Sequence, residues 1–413
     1  MRVTVSDIST EGKGIGRTEE GRVVFIPGAV PGDIAEVELG DIGAGNRSLE
    51  AQLIRIAEPS SYRIQPPCSY FYECGGCPLM CLSYEAQIRI KKQHVKDALE
   101  RIGGFKAGED YILRDILHTA QPKDDGTLFM PLRYRNKAEF AIQGDRIGYL
   151  KRGSHDLLEV DDCIIQNRAV ASAVSEKKAQ LRPTQKYFRR LIVRTSSDGD
   201  VMTITENSDG TATADRRILH DEIVTASVVL KTEVSPLSFY QVNPRGCSLL
   251  YSKVQEYAAL TGTERVLDLY CGAGSIGLSM ASKAGKVIGV ESVKPAVTDA
   301  NRNAVINGIV NATFICGKAE DVIDTKLQGV KADVIILDPP RAGCKASLLQ
   351  AVKSIAPKRL VYVSCDPATL ARDLKILCKT GDGTSRFSLS EVTPVDLFPG
   401  TLHCEAAALI SRI

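Results

Sequence analysis

The chain has 413 residues, 44% hydrophobic and 25% charged, with a net charge of +2. That length exceeds one hydrophobic core and implies several domains. No apolar run reaches membrane-spanning length and "MRVTVSDIST" is no signal peptide, so a soluble, cytoplasmic monomer is expected.

Residues 1–57 carry an acidic excess and read as short strands: "RVTVSDI", "GRVVFIPG", "DIAEVELG" and "EAQLIRIAEP". Period-two alternation between Gly and Pro breaks predicts a small β-barrel. After the linker "EPSSYRIQPP" comes "CSYFYECGGCPLMC". Twelve cysteines in a reducing compartment point to metal, cluster or catalytic thiols rather than disulfides. Cys68, Cys74 and Cys77 stand as C-x5-C-x2-C, with Gly75–Gly76 allowing a tight loop. A second C-x2-C pair, as zinc favours, is missing, and a [4Fe-4S] cluster tolerates one remote thiolate. The fourth ligand is either Cys81 or Cys163.

A helix is predicted from Ser83, its N-cap, to the stop at Gly103–Gly104. Residues 111–235 hold strand-like runs, including "NKAEFAIQGDRIGYL" and "RRLIVRTSS", and fit an antiparallel middle domain. Arg133, Arg135 and Lys137 alternate, and "KYFRR" mixes Lys186, Arg189 and Arg190 with Tyr187 and Phe188. Cations bind phosphate and rings stack bases, which suits single-stranded or looped RNA.

From about residue 240, "RVLDLY", "KVIGVE", "ATFICG", "ADVIILDPP" and "RLVYVSC" alternate with helical stretches, the pattern of a doubly wound α/β sheet. The boundaries so drawn are 1–57, 58–239 and 240–413. In "VLDLYCGAGSIGL", Gly272, Gly274 and Gly277 satisfy GxGxxG, and Glu291 ends the next strand at the spacing that holds ribose hydroxyls. A nucleotide-containing cofactor follows. "LDPPR" after the fourth strand is the pattern with which S-adenosylmethionine-dependent base methyltransferases line their transfer site, and Asp338 offers a carboxylate near the sulfonium.

Methylating carbon 5 of a pyrimidine needs a thiolate to add at carbon 6 and a base to take the carbon-5 proton. Cys365 ends the fifth strand, at the rim where such sheets bind ligands. DNA cytosine enzymes place a Pro-Cys pair after the fourth strand; here Arg341 follows Pro340. Glu405, heading a C-terminal apolar strand, and His403 are the base candidates.

"DLYCGAGSIGL", "DPPRAG", "VSCDPATLARDL" and "LFPGTLHCEAAALISR" closely resemble the RNA (uracil-5-)-methyltransferase family over nearly the whole chain, and "GKGIGRTEEGRVVFIPGAVPGD" resembles its RNA-binding TRAM barrel. The resemblance implies a class I (Rossmann-like) methyltransferase sheet behind an OB-like barrel and a mixed α+β central domain. It implies Cys365 as nucleophile, Glu405 as base, and Gln241, Tyr270, Glu291 and Asp338 as S-adenosylmethionine ligands beside Gly272. It points to Cys163 as the fourth cluster ligand. The RNA partner it implies is ribosomal RNA, with the transfer-RNA T-loop as alternative and the target uridine flipped from its stack. A cytosine-5 enzyme and a redox-sensing RNA-binding protein without turnover are the competing readings. Ser275, Asp366 and Gly400 depart from residues common in relatives.

Overall fold

The computed structural model describes residues 1–40, 48–181, 188–325, 327, 329–379 and 385–413. Contacts divide the chain into two compact units: Met1–Lys91 with Gln121–Met130 and Phe398–Leu402, and Lys92–Ala120 with Pro131–Leu397 and His403–Ile413.

The first unit begins with a closed five-stranded barrel of Arg2–Ile8, Lys13–Arg17, Val23–Pro27, Ile34–Leu39 and Ser48–Glu58. Alternation puts Val3, Val5, Val24, Ile26 and Val37 inside, as the sequence pattern requires. Asp33 is fully buried but fully partnered: it accepts from Val30 and Ser60 amides and pairs with Arg63 at 2.6 Å. The helix Tyr84–Ala98 starts with Ser83 Oγ accepting from the Ala86 amide and closes in a π turn before Gly104, at φ 71°.

In the second unit, a six-stranded antiparallel sheet runs in the order Ala212–Ala214, Val201–Asn207, Phe188–Thr195, Lys137–Gln143, Arg146–Leu150, Leu157–Leu158. The helix Arg168–Gln180 packs on it through Val170 and Ala173. The hairpin Leu219–Val224/Val229–Val234 follows separately.

The larger sheet carries the site. Its order is Ala312–Cys316, Lys286–Glu291, Arg265–Leu269, Val334–Leu337, Arg359–Ser364, Glu405–Arg412, Phe387–Val395, Ile112–Leu113. Numbered along the chain from Arg265, the first seven strands read 3-2-1-4-5-7-6. The first five are parallel, and Glu405–Arg412 inserts antiparallel to its neighbours. The chain reverses direction across the sheet between Arg265–Leu269 and Val334–Leu337, so the ligand crevice belongs at their carboxyl ends. Continuous burial of "VIIL" and "LVYVS" reflects helices on both faces. Ile112–Leu113 was read with the middle region; it instead adds to the edge of this sheet, opposite Glu391 and Val392. Two residues are too short to carry a periodicity.

Candidate active site

Strand Arg265–Leu269 delivers the chain into a turn of positive φ: Tyr270 at 63°, Gly272 at 53° and Gly274 at 79°. For an aromatic residue this is an unfavourable backbone state, kept only where surroundings enforce it. The helix Ser275–Met280 follows. A Cβ at Gly272 would meet nothing within 4 Å, so this glycine faces open space where the crevice lies. At Gly277 the reason differs: a Cβ would sit 2.9 Å from Asp268 Oδ2, the atom that accepts from the Gly277 amide at 2.9 Å.

One pocket gathers Gln241, Tyr251, Tyr270, Gly272 and Asp338. Four of the five expected cofactor residues therefore share one crevice, and the fifth adjoins it: the Gly272 amide donates to Glu291 Oε2 at 3.1 Å, while Glu291 Oε1 accepts from the Val293 amide at 2.7 Å. Gln241, 9% exposed, comes from the strap before helix Pro244–Ala258. Asn136 Nδ2 donates to the Gln241 carbonyl at 3.0 Å, and Ser238 Oγ donates to buried Asp299 at 2.6 Å.

The donor set suits a cationic nucleoside. Burial pushes the Asp338 carboxyl up to about 7, and burial, aided by Asp338 and Glu291 and opposed by the Gly277 amide, brings Asp268 to about 7 as well. Asp268 Oδ1 is buried with no hydrogen-bond partner among the described residues. An acidic, under-compensated pocket beside a ribose-type glutamate fits S-adenosylmethionine, whose sulfonium and ammonium bring positive charge. Gln241, Tyr270, Gly272, Glu291 and Asp338 are the residues that would hold it. Asp268 was not anticipated; its signal was an acid inside the otherwise apolar "VLDLY".

Cys365 follows strand Arg359–Ser364, which pairs with Glu405–Arg412 in a register that sets Ser364 against Ala406. Cys365 comes directly after Ser364 and Glu405 directly before Ala406, so both stand at the same end of this strand pair. Glu405 is 6% exposed; burial, then Asp338, push its carboxyl up to about 8 against the opposing Arg341. The half-buried Cys365 thiol is raised to about 11, chiefly by burial, with Glu405 and Asp338 adding and Arg341 opposing. Asp338, Arg341, Cys365 and Glu405 thus share one electrostatic field at the rim. His403 Nε2 lies 3.5 Å from Arg341 Nη2 and is not among the groups that shift the thiol. Asp366 caps helix Pro367–Cys378 by accepting from the Thr369 amide at 2.8 Å, a role asparagine fills equally well. Ser275 opens its helix at the pocket wall. Gly400 has φ +83°, a state that histidine would strain.

Among the described residues, no three His, Cys, Asp or Glu side chains stand together as a metal site, and the [4Fe-4S] ligand set Cys68, Cys74, Cys77 and Cys163 stays an expectation. Cys163 belongs to the second unit, and its carbonyl accepts from Arg133. Thiols gain nothing by converging unless a cation compensates them, so sequence spacing alone does not assemble a site. Cys81 is buried among Ile8, Val30, Leu79 and Leu82.

The basic stretch differs from expectation. Arg133 has φ 57° and lies outside the strand, which starts at Lys137, so the three cations do not share a strand face. Arg133 grips Asp162 with two 2.6 Å contacts, Lys137 pairs with Glu139, and Arg190 is held by Glu139 and Glu206. Those cations are already paired; Arg189 stays exposed, and Lys186 and Tyr187 lie outside the described residues.

The chain was compared with known proteins. Residues 194–413 match the tRNA (Uracil-5-)-methyltransferase family and residues 1–54 the TRAM domain. An uncharacterized RNA methyltransferase of Caldanaerobacter subterraneus subsp. tengcongensis is 36% identical over 100% of this chain and 98% of that relative. One from Staphylococcus aureus strain MSSA476 is 35% identical over 99% of this chain and 97% of its own length. The crystal structure of Pyrococcus abyssi tRNA (uracil-54, C5)-methyltransferase with S-adenosyl-L-homocysteine shares the fold, with a TM-score of 0.73 and 23% identity over 99% of this chain and 100% of that one. The chain belongs to the tRNA (Uracil-5-)-methyltransferase family, and is an S-adenosylmethionine-dependent RNA (uracil-5-)-methyltransferase with an N-terminal TRAM domain.

Proposed function

We propose that this enzyme methylates carbon 5 of uridine in ribosomal RNA by covalent catalysis through Cys365. The observation that carries the reading is that Glu405, Asp338 and Arg341 all act electrostatically on the Cys365 thiol, at one end of the strand pair that Ser364 and Ala406 close, beside the Asp338 pocket. When bound, S-adenosylmethionine supplies an electrophilic methyl group. Cys365 sulfur adds to carbon 6, and the ring electrons move onto the carbon-4 oxygen. Carbon 5 then takes the methyl group. Glu405 removes the carbon-5 proton, the carbon-5–carbon-6 double bond re-forms, and the carbon–sulfur bond breaks to free the thiolate.

The thiol must lose its proton before attack, and Arg341 is the side chain that favours the thiolate. Glu405 is raised to about 8, so it acts as the base once positive charge at the site has released its own proton. Reaching Cys365 at the rim requires the uridine to leave its stack.

The ribosomal choice follows the resemblance to the barrel- and cluster-bearing type of this family, with the transfer-RNA T-loop as the alternative. Mapping 5-methyluridine in ribosomal and transfer RNA from cells with and without the gene tests the assignment. Loss at ribosomal positions is expected. Loss confined to the transfer-RNA T-loop would move the substrate, and loss at neither, with RNA still bound, would leave a binding protein without turnover.

A further inference from the structure

The loop Asp338–Cys344 carries both Asp338 and Arg341, yet has no secondary structure of its own. It is fastened from helix Pro367–Cys378, the helix that begins two residues after Cys365. Asp373 on that helix is fully buried. Its Oδ2 accepts from the Cys344 amide at 2.7 Å and from the Tyr362 hydroxyl at 2.6 Å. Its Oδ1 holds Arg372 Nε at 2.8 Å and Nη2 at 2.7 Å. Arg372 Nη2 then donates to the Ala342 carbonyl at 2.9 Å and reaches the Cys344 carbonyl at 3.4 Å. Tyr362 stands on strand Arg359–Ser364, which ends in the nucleophile. Gly343 sits under the pair at φ +74°; a Cβ there would lie 2.4 Å from Arg372 Nη2 and 2.6 Å from Asp373 Oδ2.

We propose that the Arg372–Asp373 pair is a positioning device that sets Arg341 against Cys365 by locking the loop Asp338–Cys344 onto the helix behind the thiol. The guanidinium reads two loop carbonyls and the carboxylate reads one loop amide, so the turn is held at three backbone points with no side chain of its own. Such bidentate contacts fix direction as well as distance. The device belongs to a different layer from the chemistry: neither residue lines the cofactor pocket. It rests on the reading of Cys365 as nucleophile. Three charged groups act on that sulfur, namely Glu405, Asp338 and Arg341, and two of them ride on the clamped loop.

The test reads the sulfur directly, without RNA or cofactor. Full-length protein is treated with iodoacetamide from about pH 8 to pH 11, and alkylation of the Cys365 peptide is timed by mass spectrometry. The position of the rate profile along the pH axis reports the thiol's proton affinity independently of its access. Arg341→Ala is expected to slow alkylation threefold to tenfold at fixed pH. Arg372→Ala, on a half-exposed side chain, and Gly343→Ala, which pushes one methyl group into the clamp, are each expected to move the profile the same way. In combination with Arg341→Ala, neither is expected to move it further. Melting curves confirm that each variant is folded. A wild-type profile in both Arg372→Ala and Gly343→Ala would overturn the proposal, as would effects that multiply with Arg341→Ala. Methylation by a Cys365→Ala variant would instead overturn the nucleophile, so the two failures are distinguishable.

Discussion

Cys365 and Glu405 illustrate how one buried environment sets two proton affinities in one direction. Low polarity disfavours both the thiolate and the carboxylate; Glu405 raises the thiol further, and Asp338 raises Glu405. The resting pair therefore holds its protons at neutral pH, and positive charge must release them. Arg341 supplies part of it. Cys365→Ala removes the nucleophile while leaving every residue of the Asp338 pocket in place, so cofactor binding is expected to stay within about threefold, with methylation abolished. Equilibrium dialysis with labelled cofactor and a methyl-transfer assay check the two halves, and residual turnover would transfer the role elsewhere. Glu405→Gln keeps size and hydrogen bonding but accepts no proton. Methyl transfer then proceeds to an adduct that cannot eliminate, expected as a protein–RNA band that survives a denaturing gel. Free methylated product instead would assign the base to another group, His403 first.

The glycine turn after strand Arg265–Leu269 makes a different kind of prediction, because its glycines serve different ends. Gly272→Ala meets no atom, but it must hold a non-glycine residue at positive φ and fills the crevice. A stability loss of about 1 kcal/mol is expected, together with a loss of cofactor affinity of at least about tenfold. Gly274→Ala drives its methyl group to 2.8 Å from the Phe314 ring, so it is expected to cost more stability than Gly272→Ala. Chemical denaturation and cofactor titration separate the two, and equal stability losses would contradict the packing argument. The sequence exposed this element because strand, glycine turn and helix are local. It singled out Cys365 as a candidate for a related reason, since that residue ends a buried run, whereas Glu405 became a candidate chiefly through the family resemblance. The clamp at Asp373 was invisible: a buried acid in an amphipathic helix reads as any polar face, and its partners Tyr362 and Cys344 are distant in sequence. Arg133 escaped because a left-handed residue in "LRYRNK" carries no glycine to announce it.

Among the described residues, the perturbed carboxyl groups fall into two sets whose pH dependence runs in opposite directions. Paired carboxylates such as Glu139, Glu159 and Asp162 are held below their ordinary values by their cationic partners. They stabilise the fold above their unfolded values, and that contribution is lost only as pH falls through the acid range. Asp268, Asp338 and Glu405 are raised to about 7, 7 and 8. Their unfolded values lie near 4, so the folded chain binds more protons between about pH 4 and pH 8. Their contribution is complete below that window and is lost as pH rises through it. Since the first set is already fully ionised there, the buried acids govern the slope. Ligand-free enzyme is therefore expected to melt several degrees lower at pH 8.5 than at pH 5.5. Glu405→Gln removes one of the three sites and is expected to flatten that slope, gaining most against wild type at the alkaline end. A cationic ligand favours the ionised carboxylates, so S-adenosylmethionine is expected to raise the melting temperature more at pH 8.5 than at pH 5.5. Scanning calorimetry across this range, with and without cofactor, measures all three effects. A ligand-free melting temperature that rises with pH, or a Glu405→Gln profile parallel to wild type, would mean that these carboxyls do not hold their protons in the folded enzyme, and that a cationic ligand at the Asp338 pocket has no such buried charge to offset.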